Sequence, residues 1–128
     1  MADVPMRVHK LTSDAVTGWS QVAGQIFVSD LIDEPTHPDA KMTVGFARLD
    51  KGETLDISFP YDEVLVITKG TYRVRTDTNE TLTAGPGDVI YLPGGSSNSS
   101  QAEDDVEMVY VVSPPSVYAQ HVAQASGE

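Results

Sequence analysis

Short runs of β-branched and aromatic residues alternate with turn signals along most of this chain. The turn signals are Asp50-Lys51-Gly52, Lys69-Gly70, Asp77-Thr78-Asn79, Gly85-Pro86-Gly87 and Pro93-Gly94-Gly95. Between them the pattern predicts strands at about Gln25–Asp30, Met42–Leu49, Thr54–Phe59, Glu63–Thr68, Thr71–Thr76, Glu80–Thr83, Val89–Leu92 and Val106–Val112. Many short strands at this spacing predict an all-β barrel or sandwich. Only the ends suggest helix. Thr12-Ser13-Asp14 offers a cap for a short turn running to Trp19, and Val117–Ala125 reads as a terminal helix. Ile32–Ala40, with two prolines and three acids, reads as a loop or edge connection, and Gln124–Glu128 as a frayed tail. No repeat, linker or low-complexity tract divides the chain, so residues 1–128 form one expected domain.

Charge narrows the range of functions. Eight basic against 19 acidic residues give a net charge of −11. Only Arg73 and Arg75 among the basic residues stand close together, so nucleic acid is not an expected partner: phosphate binding draws on clustered Lys and Arg. The acidic balance reads as solvation rather than as a docking surface. The absence of cysteine removes disulfide and thiolate chemistry. No apolar run approaches the ~18 residues of a membrane span, and MADVPMRVHK has no apolar segment of a signal peptide. A cytoplasmic protein without a membrane partner is the expectation.

The stretch from Phe59 to Gly70, FPYDEVLVITKG, carries an acid into an apolar strand. If Glu63 points inward, then Tyr61, Phe59 and Ile57 share its face, because strand side chains repeat with period two. An acid among such groups is costly to bury unless it is paired, hydrogen-bonded or protonated. The alternative places Glu63, with Asp62, at a solvated strand edge. The pattern alone leaves both open.

Gly52 to Gly70, followed by GPGDVIYLPGGSSN at Gly85–Asn98, resembles the two sequence motifs of the cupin superfamily. The first motif has a glycine, two histidines one residue apart, and a glutamate seven residues before a closing glycine; Gly52, Glu63 and Gly70 match. The second is matched at Gly87, Pro93 and Gly95, with Asn98 standing where the family has histidine. The skeleton has a physical basis, since Gly70 and Gly87 permit tight turns and Pro93 ends a strand without losing an inner ladder bond. Within the superfamily, YDEV and TAGPGDVIYLPGGSS look most like the cupin domain of the EutQ family of ethanolamine utilization proteins. The resemblance covers about residues 42–112, leaving 1–41 as an N-terminal edge segment and 113–128 as a tail. It implies a cupin (RmlC-like) jelly-roll barrel with short terminal helices and a pocket at one mouth. Family members from ethanolamine operons usually carry an additional N-terminal region.

The departure from the family pattern bears on chemistry. Where the ligand histidines would fall stand Ile57 and Phe59, or Asp56 and Ser58 if one residue bulges. One carboxylate and one amide make a poor site for Fe, Mn, Ni or Zn, so neither a metal nor another cofactor is expected. His9, His37 and His121 lie outside the motifs. His37, in EPTHPD, either folds over the barrel mouth or is a solvated loop residue. What remains is a pocket with Glu63 and Tyr61 as candidate catalytic groups, and Phe59, Tyr91, Ser97, Asn98 and His37 as candidate binding groups, with Ser96 beside them. Tyr61 and Tyr91 serve equally well as strand packers, and SSNSS as a plain polar turn.

Three functions fit. A metal-free enzyme would use Glu63 for acid–base chemistry on a small polar metabolite: isomerisation, elimination, cyclisation or decarboxylation. A noncatalytic binding or scaffold protein would use the same pocket. The third, acetate-kinase activity, is implied by the resemblance alone; no GxxxxGK[ST] loop accompanies it. A homodimer is expected from the exposed sheet edges, with the segment up to Ile32, including Trp19, as the packed or exchanged edge.

Overall fold

The computed structural model describes residues 8–126, with side chains through residue 122. The described strands are β1 (Ser20–Ala23), β2 (Ile26–Ile32), β3 (Thr43–Leu49), β4 (Thr54–Asp56), β5 (Asp62–Lys69), β6 (Tyr72–Arg75), β7 (Thr81–Ala84), β8 (Val89–Leu92), β9 (Ser99–Ala102) and β10 (Val106–Ser113), and helix α1 covers Pro115–Ser126. They form two antiparallel sheets in the orders β1-β2-β3-β10-β5-β8 and β4-β9-β6-β7. The two sheets face each other as an all-β jelly roll, and the core lies between them, built from inward residues such as Ile67, Tyr72, Val74, Val106 and Val112.

Alternation is the local rule that builds this core. In β10 every second residue is buried, from Val106 to Val112. In β5 the same rhythm buries Glu63, Leu65 and Ile67. Gly70 closes the β5–β6 turn at φ +78, with the Asp105 carbonyl directly against the position a Cβ would take. Only glycine fits both constraints.

The outward faces of the two sheets differ. On the larger sheet, paired positions set Val89, Val66, Val109 and Phe46 in one row and Tyr91, Val64, Val111 and Val44 in the next. On the smaller sheet the outward positions are polar: Arg73 and Arg75 lie opposite Thr83 and Thr81 on one side and Gln101 and Ser99 on the other. Among the described residues, no helix is long and apolar enough to cross a membrane.

Four sequence expectations are corrected. The turn after Thr12 is a single 3-10 turn over Ser13–Ala15; Thr12 is extended and makes no side-chain cap, so nothing carries the helix to Trp19. The strand expected over Thr54–Phe59 ends at Asp56, and residues 57–61 keep the in–out rhythm without a ladder, Pro60 having no N–H to give. The serines read as a turn lead into β9, which is the partner of both β4 and β6. The helix extends to Ser126, so the frayed-tail expectation fails over Gln124–Ser126, and its last two residues lie outside the described residues.

Candidate functional site

A cavity of about 610 Å³ opens between the sheets at the end covered by α1. β5 and the segment leading into it bring Ile57, Phe59, Tyr61 and Glu63 to its wall. The period-two rhythm of residues 57–63 is what aims them together. Tyr72 arrives from β6, Tyr110 from β10, and Tyr118, His121 and Val122 from α1. The last three lie three and four residues apart and so share one helix face.

Glu63 is 8% exposed. No side chain among the described residues donates a hydrogen bond to its carboxyl, and burial pushes its pKa from 4.5 up to about 7. Tyr61 is raised well above the usual phenol range, by burial first and then by the charges of Glu63 and Asp30. Burial likewise lifts Tyr72 to about 12, the Ser100 hydrogen bond opposing and the Glu63 charge adding to it.

The helix is fastened over the mouth by rings and by one carboxylate. Tyr61 stacks on Phe59 at 5.0 Å between centroids, and His121 stands edge-on to both rings at 5.4 and 5.6 Å. Tyr118 meets Tyr61 edge-on at 5.3 Å, and its hydroxyl donates to Asp30 Oδ1 at 2.8 Å. The Tyr110 hydroxyl donates to the same oxygen. Gly45 makes this possible, because a Cβ there would collide with the Tyr110 hydroxyl and the Ser29 carbonyl. Burial and the Asp30 carboxylate hold both phenols far above their ordinary range.

The structure brings three of the sequence-predicted residues together at the cavity: Glu63, Tyr61 and Phe59. Four others lie elsewhere. Tyr91 is 60% exposed on the outer face, because β8 turns Ile90 and Leu92 inward. Asn98 is tied into the wall, its Nδ2 donating to Ser96 Oγ at 2.9 Å and its backbone bonded to residues 57 and 58. Ser97 is exposed beside Ser58. His37 sits in its loop, bonded to Thr36 Oγ1 and edge-on to His9. The cavity residues the sequence reading left out are Tyr72, Tyr110, Tyr118 and His121. Alternation within β10 would have found Tyr110, and the i, i+3 spacing Tyr118 with His121. Nothing local said that this helix closes the barrel.

Cupin barrels commonly hold a metal at this mouth, and these residues do not fit one. Ile57 and Phe59 occupy the inward positions where imidazoles would stand, and the Asn98 amide is engaged with Ser96. No group of three or more His, Cys, Asp or Glu among the described residues is placed to hold an ion.

Comparison with known proteins agrees with this architecture. The family model for ethanolamine utilisation protein EutQ matches residues 12–119. The chain belongs to the EutQ family. A protein described as ethanolamine utilization protein Q from Salmonella typhimurium LT2 is 30% identical, with 70% of each chain covered and a TM-score of 0.64. The Clostridium difficile EutQ protein is 26% identical over 70% of this chain and 68% of that one, with a TM-score of 0.62. The barrel itself recurs in ectoine synthase from P. lautus, at 17% identity, 80% and 75% coverage and a TM-score of 0.69. That likeness concerns the cupin fold alone. No curated protein matches the chain.

Proposed function

We propose that this EutQ-family cupin binds a small metabolite in the barrel cavity, with Glu63 as the ionisable group that meets it. The observation that carries this reading is a nearly buried carboxyl, without a hydrogen-bond donor among the described residues, on the wall of a cavity large enough for a small molecule. With a pKa near 7, Glu63 takes up and releases a proton in the neutral range, where general acid–base catalysis is most effective. Tyr61 keeps its proton and serves as a donor to a ligand oxygen. These two groups suit a metal-independent proton transfer, as in isomerisation, elimination, cyclisation or decarboxylation.

One observation favours a noncatalytic binding protein as the second reading. All four cavity tyrosines have raised pKa values, so none of them serves as a base beside Glu63. Acetate-kinase chemistry gains no support from the cavity, whose described lining contains no Lys or Arg to hold a phosphoryl group. The chain is further proposed to act as a homodimer.

The test is a metabolite panel read by thermal shift, followed by NMR of each stabilising compound for turnover. The enzyme reading expects a pH-dependent turnover that collapses in Glu63→Gln. Stabilisation without turnover in the wild type supports the binding protein. A panel in which nothing stabilises the chain, but cavity-filling Ala47→Trp leaves it folded and equally inert, counts against the pocket.

A further inference from the structure

The cavity has a charge pattern that selects its ligand. Its described lining holds two carboxylates, Glu63 and Asp56, and no Lys or Arg. Beside Ser20, Gln21 and the His121 imidazole, the remaining polar lining is four phenols, and Phe59 and His121 form an aromatic wall with Tyr61 and Tyr118. An anion entering here would meet carboxylates with no cation to offset them. A neutral polar molecule would leave Glu63 desolvated and unpaired. A cation meets both needs, since aromatic faces attract it through their quadrupole and a carboxylate completes the pair in a dry site.

The geometry points to a small organic cation as the ligand: a primary to quaternary ammonium on a short apolar body, its head toward Glu63 and the aromatic wall. This deepens the reading of the cavity as a ligand site and rests on it. The apolar body matches the remaining walls, which are built from residues such as Ile26, Leu49, Leu55, Leu65 and Met108. Seating the ammonium favours the charged form of Glu63, so in the range where that carboxyl is still protonated, binding releases its proton to solvent. The other titratable groups on the described lining are Tyr61 on the approach to β5, Tyr72 on β6, Tyr110 on β10, Tyr118 and His121 on α1, and the exposed Asp56 at the end of β4, with Asp30 on β2 holding two of the hydroxyls. β8 turns only Ile90 and Leu92 inward. The phenols stay protonated throughout. His121 is separated from Glu63 by its own variant.

Neopentylammonium, neopentyl alcohol and pivalate carry one body with a positive, a neutral and a negative head, and calorimetric titration of the full chain with each reads the selection directly. The ammonium is expected to bind at least tenfold more tightly than the alcohol, and pivalate to give no heat. Affinity for the ammonium should rise as pH climbs from 6 to 8, and proton release should be visible as a dependence on buffer ionisation enthalpy. Glu63→Gln should remove the tenfold preference and the pH response while alcohol binding remains; His121→Gln, which takes one ring from the wall, should lower affinity for the ammonium but keep the pH response. If the alcohol or pivalate binds as tightly as the ammonium, the cation assignment is overturned and the pocket stands as a ligand site. If none of the three binds, the cation assignment is overturned as well, and the metabolite panel decides the pocket separately. A preference that survives Glu63→Gln overturns the role given to this carboxyl.

Discussion

At the scale of single residues, the buried acid is the place where the sequence conflicts with its own fold. Glu63 has a folded pKa of about 7 against 4.5. The folded state therefore binds the proton more tightly, and its contribution is fully present below about pH 4.5 and lost as pH rises through 7. Glu63→Gln should consequently gain most above neutrality, by up to about 3 kcal/mol, and little at pH 4.5. Denaturant titrations at pH 5 and pH 8 check this; a gain independent of pH would mean that the carboxyl is not desolvated. Its neighbour has a different task. Asp62 Oδ1 accepts the Gly94 N–H at 2.8 Å, tying β5 to the loop after β8. Asp62→Ala should cost about 1 kcal/mol, Asp62→Asn less because its amide oxygen can accept the same bond, and neither should alter ligand affinity. The sequence left Glu63 open between an inward position and a solvated edge shared with Asp62, and the structure decides for the inward one, with Asp62 exposed beside it. Tyr91 was not legible: in Val-Ile-Tyr-Leu every residue is apolar, and no polar position sets the phase.

At the scale of elements, the described contacts of α1 with the barrel include both hydrogen bonds and rings, beside the packing of Val117 on the core. Tyr118 supplies a hydrogen bond to Asp30 and a ring against Tyr61, and His121 supplies rings against Phe59 and Tyr61. Tyr118→Phe keeps the ring and deletes the hydroxyl. It should lower global stability by about 1 kcal/mol and increase hydrogen exchange in α1 more than in β5. Equal acceleration in both would show that the helix does not open on its own. The partners in this latch are 88 residues apart, which explains why the helix was readable from its sequence while its position over the cavity was not. β9 was missed through chemistry rather than distance. Ser100 is buried with its hydroxyl satisfied by Tyr72 and the Leu55 carbonyl, so a residue that usually signals a turn serves as a strand interior here. Gly45→Ala should be the most damaging single methyl in this region, since Ser29 backbone and Tyr110 both stand where it would go. A loss above 1 kcal/mol is expected, and a Tm equal to wild type would show that Tyr110 moves aside freely.

For the molecule as a whole, the glycine and proline skeleton at Gly52, Gly70, Gly87, Pro93 and Gly95 was enough to indicate the barrel, because turn geometry depends on backbone freedom and survives the replacement of ligand histidines by Ile57 and Phe59. Assembly was less legible, since it depends on which whole face is left uncovered. Ser20–Ala23 pairs with β2 of the same chain and forms an edge of the larger sheet. The two apolar rows on the outer face end at Val89 and Tyr91, which are 62% and 60% exposed, while the outward positions of the smaller sheet are polar. A contiguous apolar face of this kind is unusual on a monomer, and a second copy packing across it would place like rows on like, as a twofold contact requires. The proposed homodimer therefore has two candidate faces, the β1 edge and this one, and the apolar rows favour the second. Light scattering at micromolar concentration should give twice the 13.8 kDa chain mass. Val89→Lys with Tyr91→Lys should halve it and leave ligand affinity unchanged, because both residues point away from the cavity. A dimer that withstands these two charges but dissociates when Gln21 and Ala23 are replaced by proline would move the contact to the edge strand; a wild-type chain that scatters as a monomer would remove the dimer altogether.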